Sequence, residues 1–231
     1  MIKIIKSSKR HFSDMGWLKT FWLFSFSSYH DPGNISHGSL RVFNDDIVQA
    51  HSGFDTHPHE EMEIVSIILS GEMIHKDTMG NEAIIRANDV QRMTAGTGLH
   101  HSEQNMSDEP VHFYQIWIIP DKKELAPSYD QKTFLPGQWQ DKLSLLASKD
   151  AGKGVALNTD AALYRAELGK GKTISHEVKN GRKPFVYVIN GTININGQDL
   201  NVTDQARISE ETLLNITAVD DAGFLLIDVP A

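Results

Sequence analysis

The sequence predicts an all-β protein built from two similar β-sandwich or barrel units. Short runs of apolar, β-branched and aromatic residues dominate the chain, and turn-forming pairs such as Asn190-Gly191 and Asn196-Gly197 separate them. No long run of helical spacing is present. Residues 64–74 and 184–194, about 120 positions apart, share one pattern of an apolar strand, a polar residue with glycine, and a second strand. Many short strands with regular turns are typical of sandwiches and barrels.

The elements follow from these runs in chain order. Strands are predicted at residues 21–26, 62–69, 111–119, 185–189, 192–195 and 224–229. Short helical pieces are expected around residues 121–125 and 139–146. The segment 121–153 is richer in polar residues, glycine and proline, so we interpret it as the connection between a first domain, residues 1–120, and a second, residues 154–231.

Composition narrows the classes of function. A net charge of −8 disfavours a nucleic-acid partner, and the absence of cysteine excludes disulfides and thiolate metal sites. No stretch approaches the roughly 18 apolar residues of a membrane span. Lysine interrupts the first apolar residues too early for a signal peptide. These observations predict a cytoplasmic protein without a membrane partner.

Histidine is concentrated in the first half of the chain, where ten of the 11 histidines lie at or before His112. The densest pattern is His57-Pro58-His59, followed by His101-Ser102-Glu103. Side chains two apart on a strand point the same way, with roots about 6.6 Å apart. Two such pairs on neighbouring strands present three imidazoles and one carboxylate to a common point. This donor set suits a first-row transition metal.

Other polar residues near these pairs need no role in metal binding. An isolated pair of histidines two apart is common on exposed strands, and His100 faces away from His101 in an extended chain. His112 and Tyr114 fall on one face of a predicted strand, and Gln115 and Trp117 on the other. Either row can line a cavity, but we expect both to be core.

Several motifs of the first half belong together: GFDTHPH at 53–59, MEIV at 62–65, HKDTMGN at 75–81, VQRMTAGTG at 90–98, HSEQN at 101–105 and YQIWI at 114–118. These stretches resemble the pirin family of the cupin superfamily, particularly its bacterial members with quercetin 2,3-dioxygenase activity. The resemblance extends over about residues 10–135 and is specific there, whereas the second half matches in layout more than in motif.

The resemblance implies a bicupin, in which two jelly-roll β-barrels face each other and only the first holds a metal. It implies His57, His59, His101 and Glu103 as the ligands of one divalent ion. Iron is the usual occupant in such relatives, and nickel, copper, manganese and zinc also suit these ligand types. The second half agrees, because it offers a single histidine, His176.

Glu63 is the alternative candidate for the carboxylate ligand, because in many cupins the glutamate ligand lies shortly after the first histidine pair. Glu63 lies four residues after His59, about 13 Å along a straight strand, too far to share an ion unless the chain turns. We therefore expect Glu63 beside the ligands, orienting an imidazole N–H, rather than on the metal.

The activity implied by the resemblance is cleavage of the central ring of flavonols such as quercetin by dioxygen, with release of carbon monoxide. Glu103 is then the candidate general base for the flavonol 3-hydroxyl. The alternative is a non-enzymatic metal-binding regulatory protein that responds to the redox state of its metal, as eukaryotic pirins do. A cupin enzyme acting on another oxygen-rich substrate is a third hypothesis. No residue pattern identifies a protein partner.

Overall fold

The computed structural model describes residues 1–231, and almost every regular element in it is a β-strand. In the first half these are β1 (Ile2–Ile5), β2 (His11–Asp14), β3 (Leu18–Trp22), β4 (Leu40–Val48), β5 (Ser52–His59), β6 (Glu63–Ser70), β7 (Glu72–Asp77), β8 (Glu82–Arg86), β9 (Asp89–Thr94), β10 (Leu99–Asn105) and β11 (Val111–Ile118). They are followed by β12 (Ser128–Thr133), β13 (Ser144–Ser148), β14 (Val155–Ala156), β15 (Ala162–Leu168), β16 (Thr173–Glu177), β17 (Arg182–Asn190), β18 (Ile193–Ile195), β19 (Gln198–Leu200), β20 (Gln205–Ile208), β21 (Leu213–Ala218) and β22 (Ala222–Pro230).

These strands form two barrels of the same design, each made of a seven-stranded and a four-stranded sheet. The first barrel has the strand orders β12-β9-β6-β11-β4-β3-β2 and β5-β10-β7-β8. The second has β1-β20-β17-β22-β15-β13-β14 and β16-β21-β18-β19. The predicted all-β bicupin fold is therefore confirmed.

The chain crosses between the barrels at its start and at its middle. Strand β1 leaves the first half and pairs with β20, with Ile2 opposite Ile208. Strand β12 closes the first barrel against β9, whereas β13 belongs to the second barrel through β15. The segment 121–153 thus contributes a strand to each barrel, and the division of the chain at residues 120 and 153 stays a prediction.

The prediction of short helical pieces at residues 121–125 and 139–146 is wrong. The only helices are single 3-10 turns at Ser7–Lys9 and Pro136–Gln138, and neither has the length that a membrane-spanning helix needs. Residues 121–125 form no regular element, and β13 begins at Ser144. Pairing with β15, which lies later in the chain, makes this segment extended, and local sequence does not reveal such a long-range partner.

The barrels meet through their large sheets and differ in what fills them. A core of 23 buried apolar residues lies between the barrels, where Phe43 of the first packs against Phe185 and Tyr187 of the second. A separate cluster of 16 buried apolar residues fills the second barrel. The first barrel has smaller apolar clusters of seven and three residues. The interior of the first barrel therefore also holds polar side chains.

Candidate metal centre

Three histidines converge on adjacent strands of the small sheet of the first barrel. Strands β5 and β10 are antiparallel, with His57 directly opposite His101 and His59 opposite Leu99. The ring centroids of His57 and His101 are 4.5 Å apart, and that of His59 lies 4.8 Å from His57 and 4.9 Å from His101. One nitrogen of each ring lies within 4.8 Å of the other two. The period-two spacing thus places all three on one face.

The local backbone explains how Glu103 joins this face. The register between β5 and β10 shifts between His101 and Glu103, so that Glu103 pairs with Phe54. Two steps along β10 therefore lie opposite three steps along β5, so the extra residue is in β5, and alternation along β10 keeps Glu103 on the face of His101. Gly53 lies against this point, where a Cβ atom would clash with the carbonyl oxygen of Glu103. A glycine is therefore required for the close approach of the two strands.

The three imidazoles present lone pairs to a ligand. The Nδ1–H of His57 donates to the carbonyl oxygen of Asp55 at 2.7 Å, which leaves Nε2 of His57 as the free nitrogen. Burial, together with the His57 ring, lowers the pKa of His59 from 6.5 to about 4. Burial and the neighbouring histidines lower the pKa of His101 to about 2. Both rings are therefore neutral at pH 7, as metal binding requires.

Glu103 is buried with one carboxylate oxygen unpartnered. Its side chain is 2% exposed, its Oε2 accepts a hydrogen bond from Gln115 Nε2 at 3.0 Å, and its Oε1 has no partner. Burial raises the pKa of Glu103 from 4.5 to about 7, and the Gln115 hydrogen bond opposes that rise. His75, His101 and Glu103 form a second group of possible metal ligands. The donor atoms of these three side chains lie within 4.8 Å of one another.

The residues present fit a transition-metal ion. Nε2 of His101 and Oε1 of Glu103 are buried polar atoms without a hydrogen-bond partner, and such atoms destabilise a fold by about 1–3 kcal/mol each. A cation satisfies both at once. Neutral nitrogen donors with one carboxylate match the preference of first-row divalent metals, whereas calcium and magnesium prefer oxygen ligands alone.

A cavity of about 350 Å³ lies beside His57 and His59, within the size range of small-molecule sites. The exposed residues Met15 and Ser27 belong to its lining, so the cavity reaches solvent. Its other apolar lining residues are Trp17, Leu18, Trp22, Phe26, Phe54 and Trp117. Its remaining polar lining residues are Asn44, Asp46 and Gln115.

Glu63 does not occupy the place expected for it. Its Oε2 accepts a hydrogen bond from the hydroxyl of Thr94 at 2.7 Å, and its Oε1 accepts one from the backbone N–H of Asn158 at 2.9 Å. Neither oxygen contacts an imidazole. The reason is strand parity, because Val65 and Ile67 on the same face of β6 belong to the core between the barrels. The expectation that Glu63 orients a ligand is therefore wrong. Its hydrogen bonds to Thr94 and Asn158 connect the first barrel to the second half of the chain.

His100, His112 and His176 take no part in the cluster of converging histidine rings. His100 is exposed, as its position beside His101 predicts. Nε2 of His112 lies 2.7 Å from Asp45, and Nε2 of His176 lies 2.9 Å from Asp228 in the second barrel. His176 has no second histidine beside it.

The expectation that both faces of β11 are core is wrong for the face of Gln115 and Trp117, which lines the cavity. Gln115 holds Glu103, and Trp117 lies edge-on against His59 at 4.8 Å, whereas Tyr114 and Ile116 on the opposite face pack between the barrels. Both faces are rich in large residues, so composition gave no signal. Gln115 reaches Glu103 from the opposite sheet of the barrel, and no local pattern of the sequence indicates such a contact.

Comparison with known proteins identifies relatives over the whole chain. Residues 5–118 match the pirin family model, and residues 145–229 match that of the quercetinase C-terminal cupin domain. The chain is 38% identical over 232 aligned positions to quercetin 2,3-dioxygenase of Escherichia coli strain K12, covering 100% of this chain and 99% of that protein. It is 39% identical to a pirin-like protein of Caulobacter vibrioides, covering 94% of each.

Solved structures agree with these matches. The bacterial pirin YhhW from Escherichia coli, in complex with nickel(II), superposes with a TM-score of 0.95 at 37% identity, covering 100% of this chain and 99% of that one. A second crystal structure of YhhW gives the same TM-score of 0.95 at 38% identity. A protein from Geobacillus kaustophilus, GK1651, superposes at 0.81 with 22% identity and supports the fold alone.

Proposed function

The chain belongs to the pirin family, and from that premise we propose that it is a metal-dependent quercetin 2,3-dioxygenase. The reaction opens the central ring of a flavonol with dioxygen and releases one ring carbon as carbon monoxide. The observation that carries this proposal is the solvent-open, aromatic-walled cavity beside His57 and His59. The related quercetin 2,3-dioxygenase of Escherichia coli, 38% identical, supports it.

His57, His59, His101 and Glu103 would hold one divalent ion. Their support is the convergence of the three imidazoles and the two unpartnered atoms, His101 Nε2 and Glu103 Oε1. Iron is our first candidate, as in the sequence-based expectation. Nickel is supported by the nickel(II) complex of the related pirin YhhW, and copper, manganese and zinc suit the same donors.

When bound, a divalent cation supplies positive charge that lowers the pKa of the flavonol 3-hydroxyl and favours the electron-rich anion. Glu103 is the proposed acceptor of that proton. Gln115 holds one oxygen of Glu103 and thereby directs the other, unpartnered oxygen towards the reacting centre.

The cavity wall selects a flat, apolar substrate. Trp17, Phe54 and Trp117 present ring surfaces on which a planar polyphenol packs, and their apolar area limits the access of water to the anion. Trp117 is held in place by donation from its Nε1–H to the amide oxygen of Gln115 at 3.1 Å. The same amide side chain therefore positions both the proposed base and a wall of the pocket.

A non-enzymatic regulatory role has less support. A regulator that reads the redox state of its metal needs no solvent-open apolar cavity beside the ligands, and this chain has one. Enzyme and regulator share the same ligand set, so the cavity is the feature that distinguishes them.

The test is aerobic incubation of the protein with quercetin after loading with iron, nickel, copper or manganese. We expect loss of the visible absorbance of quercetin and release of carbon monoxide in a one-to-one ratio. His57→Ala should lose the activity together with the metal, and His176→Ala, a histidine change in the other barrel, should keep both. No loss of quercetin with any of these metals contradicts the proposal.

A further inference from the structure

A buried line of polar groups connects His101 to the turn after β7. Nδ1 of His101 lies 3.4 Å from Nδ1 of His75, and Nε2 of His75 lies 3.2 Å from Oδ2 of Asp77. The side chains of His75 and Asp77 are fully buried, each with 0% exposure. Strands β7 and β10 are paired, with His101 opposite Asp77. Because no water reaches these groups, each proton in the line has a defined place.

The Asp77 end of the line accepts hydrogen bonds and donates none. Its Oδ1 accepts hydrogen bonds from the backbone N–H groups of Met79 at 2.9 Å and Asn81 at 3.0 Å. Its Oδ2 accepts a third from the side-chain amide of Asn81 at 2.8 Å. Three N–H donors stabilise the ionised form of a carboxylate. The remaining neighbour of Oδ2, Nε2 of His75, must therefore be the donor.

The donor role of His75 Nε2 determines which of the next two nitrogens, His75 Nδ1 and His101 Nδ1, carries a proton. A neutral imidazole with its proton on Nε2 has a lone pair on Nδ1, so His75 Nδ1 is an acceptor. Its neighbour, Nδ1 of His101, must then carry the proton. The tyrosine ring of Tyr129 packs on the ring of His75, with centroids 4.8 Å apart and planes at 32°, and holds its orientation.

We propose that His75, fixed by Asp77, is a positioning residue that sets the tautomer of His101, so that the lone pair of His101 lies on Nε2. That nitrogen is the buried atom of His101 without a hydrogen-bond partner. The inference rests on the metal site of the proposed function. It assigns His75 a role outside the ligand set, although His75 also groups with His101 and Glu103 within 4.8 Å.

The first test is the affinity of the full-length, metal-stripped protein for Ni²⁺, measured by competition with a chelator. His75→Phe keeps a ring but offers no acceptor, and we expect it to weaken Ni²⁺ binding 10- to 100-fold. His75→Asn places an amide oxygen near the position of Nδ1 and should recover most of that loss. The matched control is His100→Ala, an exposed histidine next to His101, which should bind Ni²⁺ as the wild type does.

Two outcomes of the binding assay overturn the inference. Unchanged affinity in His75→Phe means that His75 does not position His101, and complete loss, as in His101→Ala, means that His75 is itself a ligand. Nitrogen-15 NMR of the metal-free wild type adds a readout independent of ion binding and of quercetin turnover. We expect His101 protonated on Nδ1 and His75 on Nε2, and the opposite tautomers overturn the inference even if the dioxygenase activity is present.

Discussion

Replacing Asp46 with asparagine should stabilise the metal-free protein at pH 8 and have little effect at pH 4. Asp46 is 2% exposed, lines the cavity, and has an unpartnered Oδ1. Burial raises the pKa of Asp46 from 3.8 to about 7, and the carboxylates of Asp45 and Glu103 add to the rise. The hydroxyl of Thr20 and the ring of His112 act in the opposite direction.

The sign and size of the effect follow from proton linkage. Between pH 4 and pH 7 the folded protein keeps a proton on Asp46 that the unfolded chain has released, so stability decreases as pH rises through this range. The rise in the pKa of Asp46 from 3.8 to about 7, at ~1.4 kcal/mol for each pH unit, lowers the free energy of unfolding by about 4 kcal/mol at pH 8. The neutral amide of Asp46→Asn removes this loss.

The assay is urea unfolding of both proteins, stripped of metal, at several pH values from 4 to 8. The free energy of unfolding of Asp46→Asn relative to the wild type should increase with pH up to about pH 7 and then level off. Asp150→Asn, a change at an exposed carboxylate, is the matched control and should give a difference independent of pH. A constant difference for Asp46→Asn, or one that decreases with pH, refutes the reasoning.

Three further predictions concern the metal, the interface between the barrels and the cavity. His101→Ala should lose bound metal by elemental analysis while His176→Ala retains it, because only the first lies among the converging donors. Phe43→Ala should lower the free energy of unfolding by about 3–5 kcal/mol, measured with urea, because its ring is fully buried between the barrels. Trp117→Ala should raise the KM for quercetin without loss of metal, because Trp117 lines the cavity beside His59.

Each of these predictions has a contradicting result. Loss of metal in His176→Ala contradicts a single site in the first barrel. A change below about 1 kcal/mol in Phe43→Ala contradicts a packed core between the barrels. A KM for Trp117→Ala equal to that of the wild type means that quercetin does not occupy the cavity described above.

Short-range periodicity was the most informative feature of the sequence. The alternation of strand side chains predicted that His57 and His59 point the same way, and that His101 and Glu103 also point the same way as each other, without knowledge of the fold. The pairing of the two strands, which sets His57 opposite His101, depends on a register that no local pattern specifies. The resemblance to pirins supplied that step.

The errors and omissions have a common cause in long-range pairing. Glu63 was expected beside an imidazole because it follows His59 closely in sequence, but the parity of β6 directs it to Thr94 and Asn158. The partner of β1, β20, lies some 200 residues away, so its place in the second barrel was not predicted. The relation of His75 to His101 exists only across paired strands, so no local pattern of the sequence indicated it.

The most direct test of the account is anomalous diffraction from crystals of the metal-loaded protein. We expect one ion, bound by nitrogens of His57, His59 and His101 and by an oxygen of Glu103, at ~2.0–2.2 Å from each. An ion bound by His75, an ion near His176 in the second barrel, or no ion in the first barrel would contradict it.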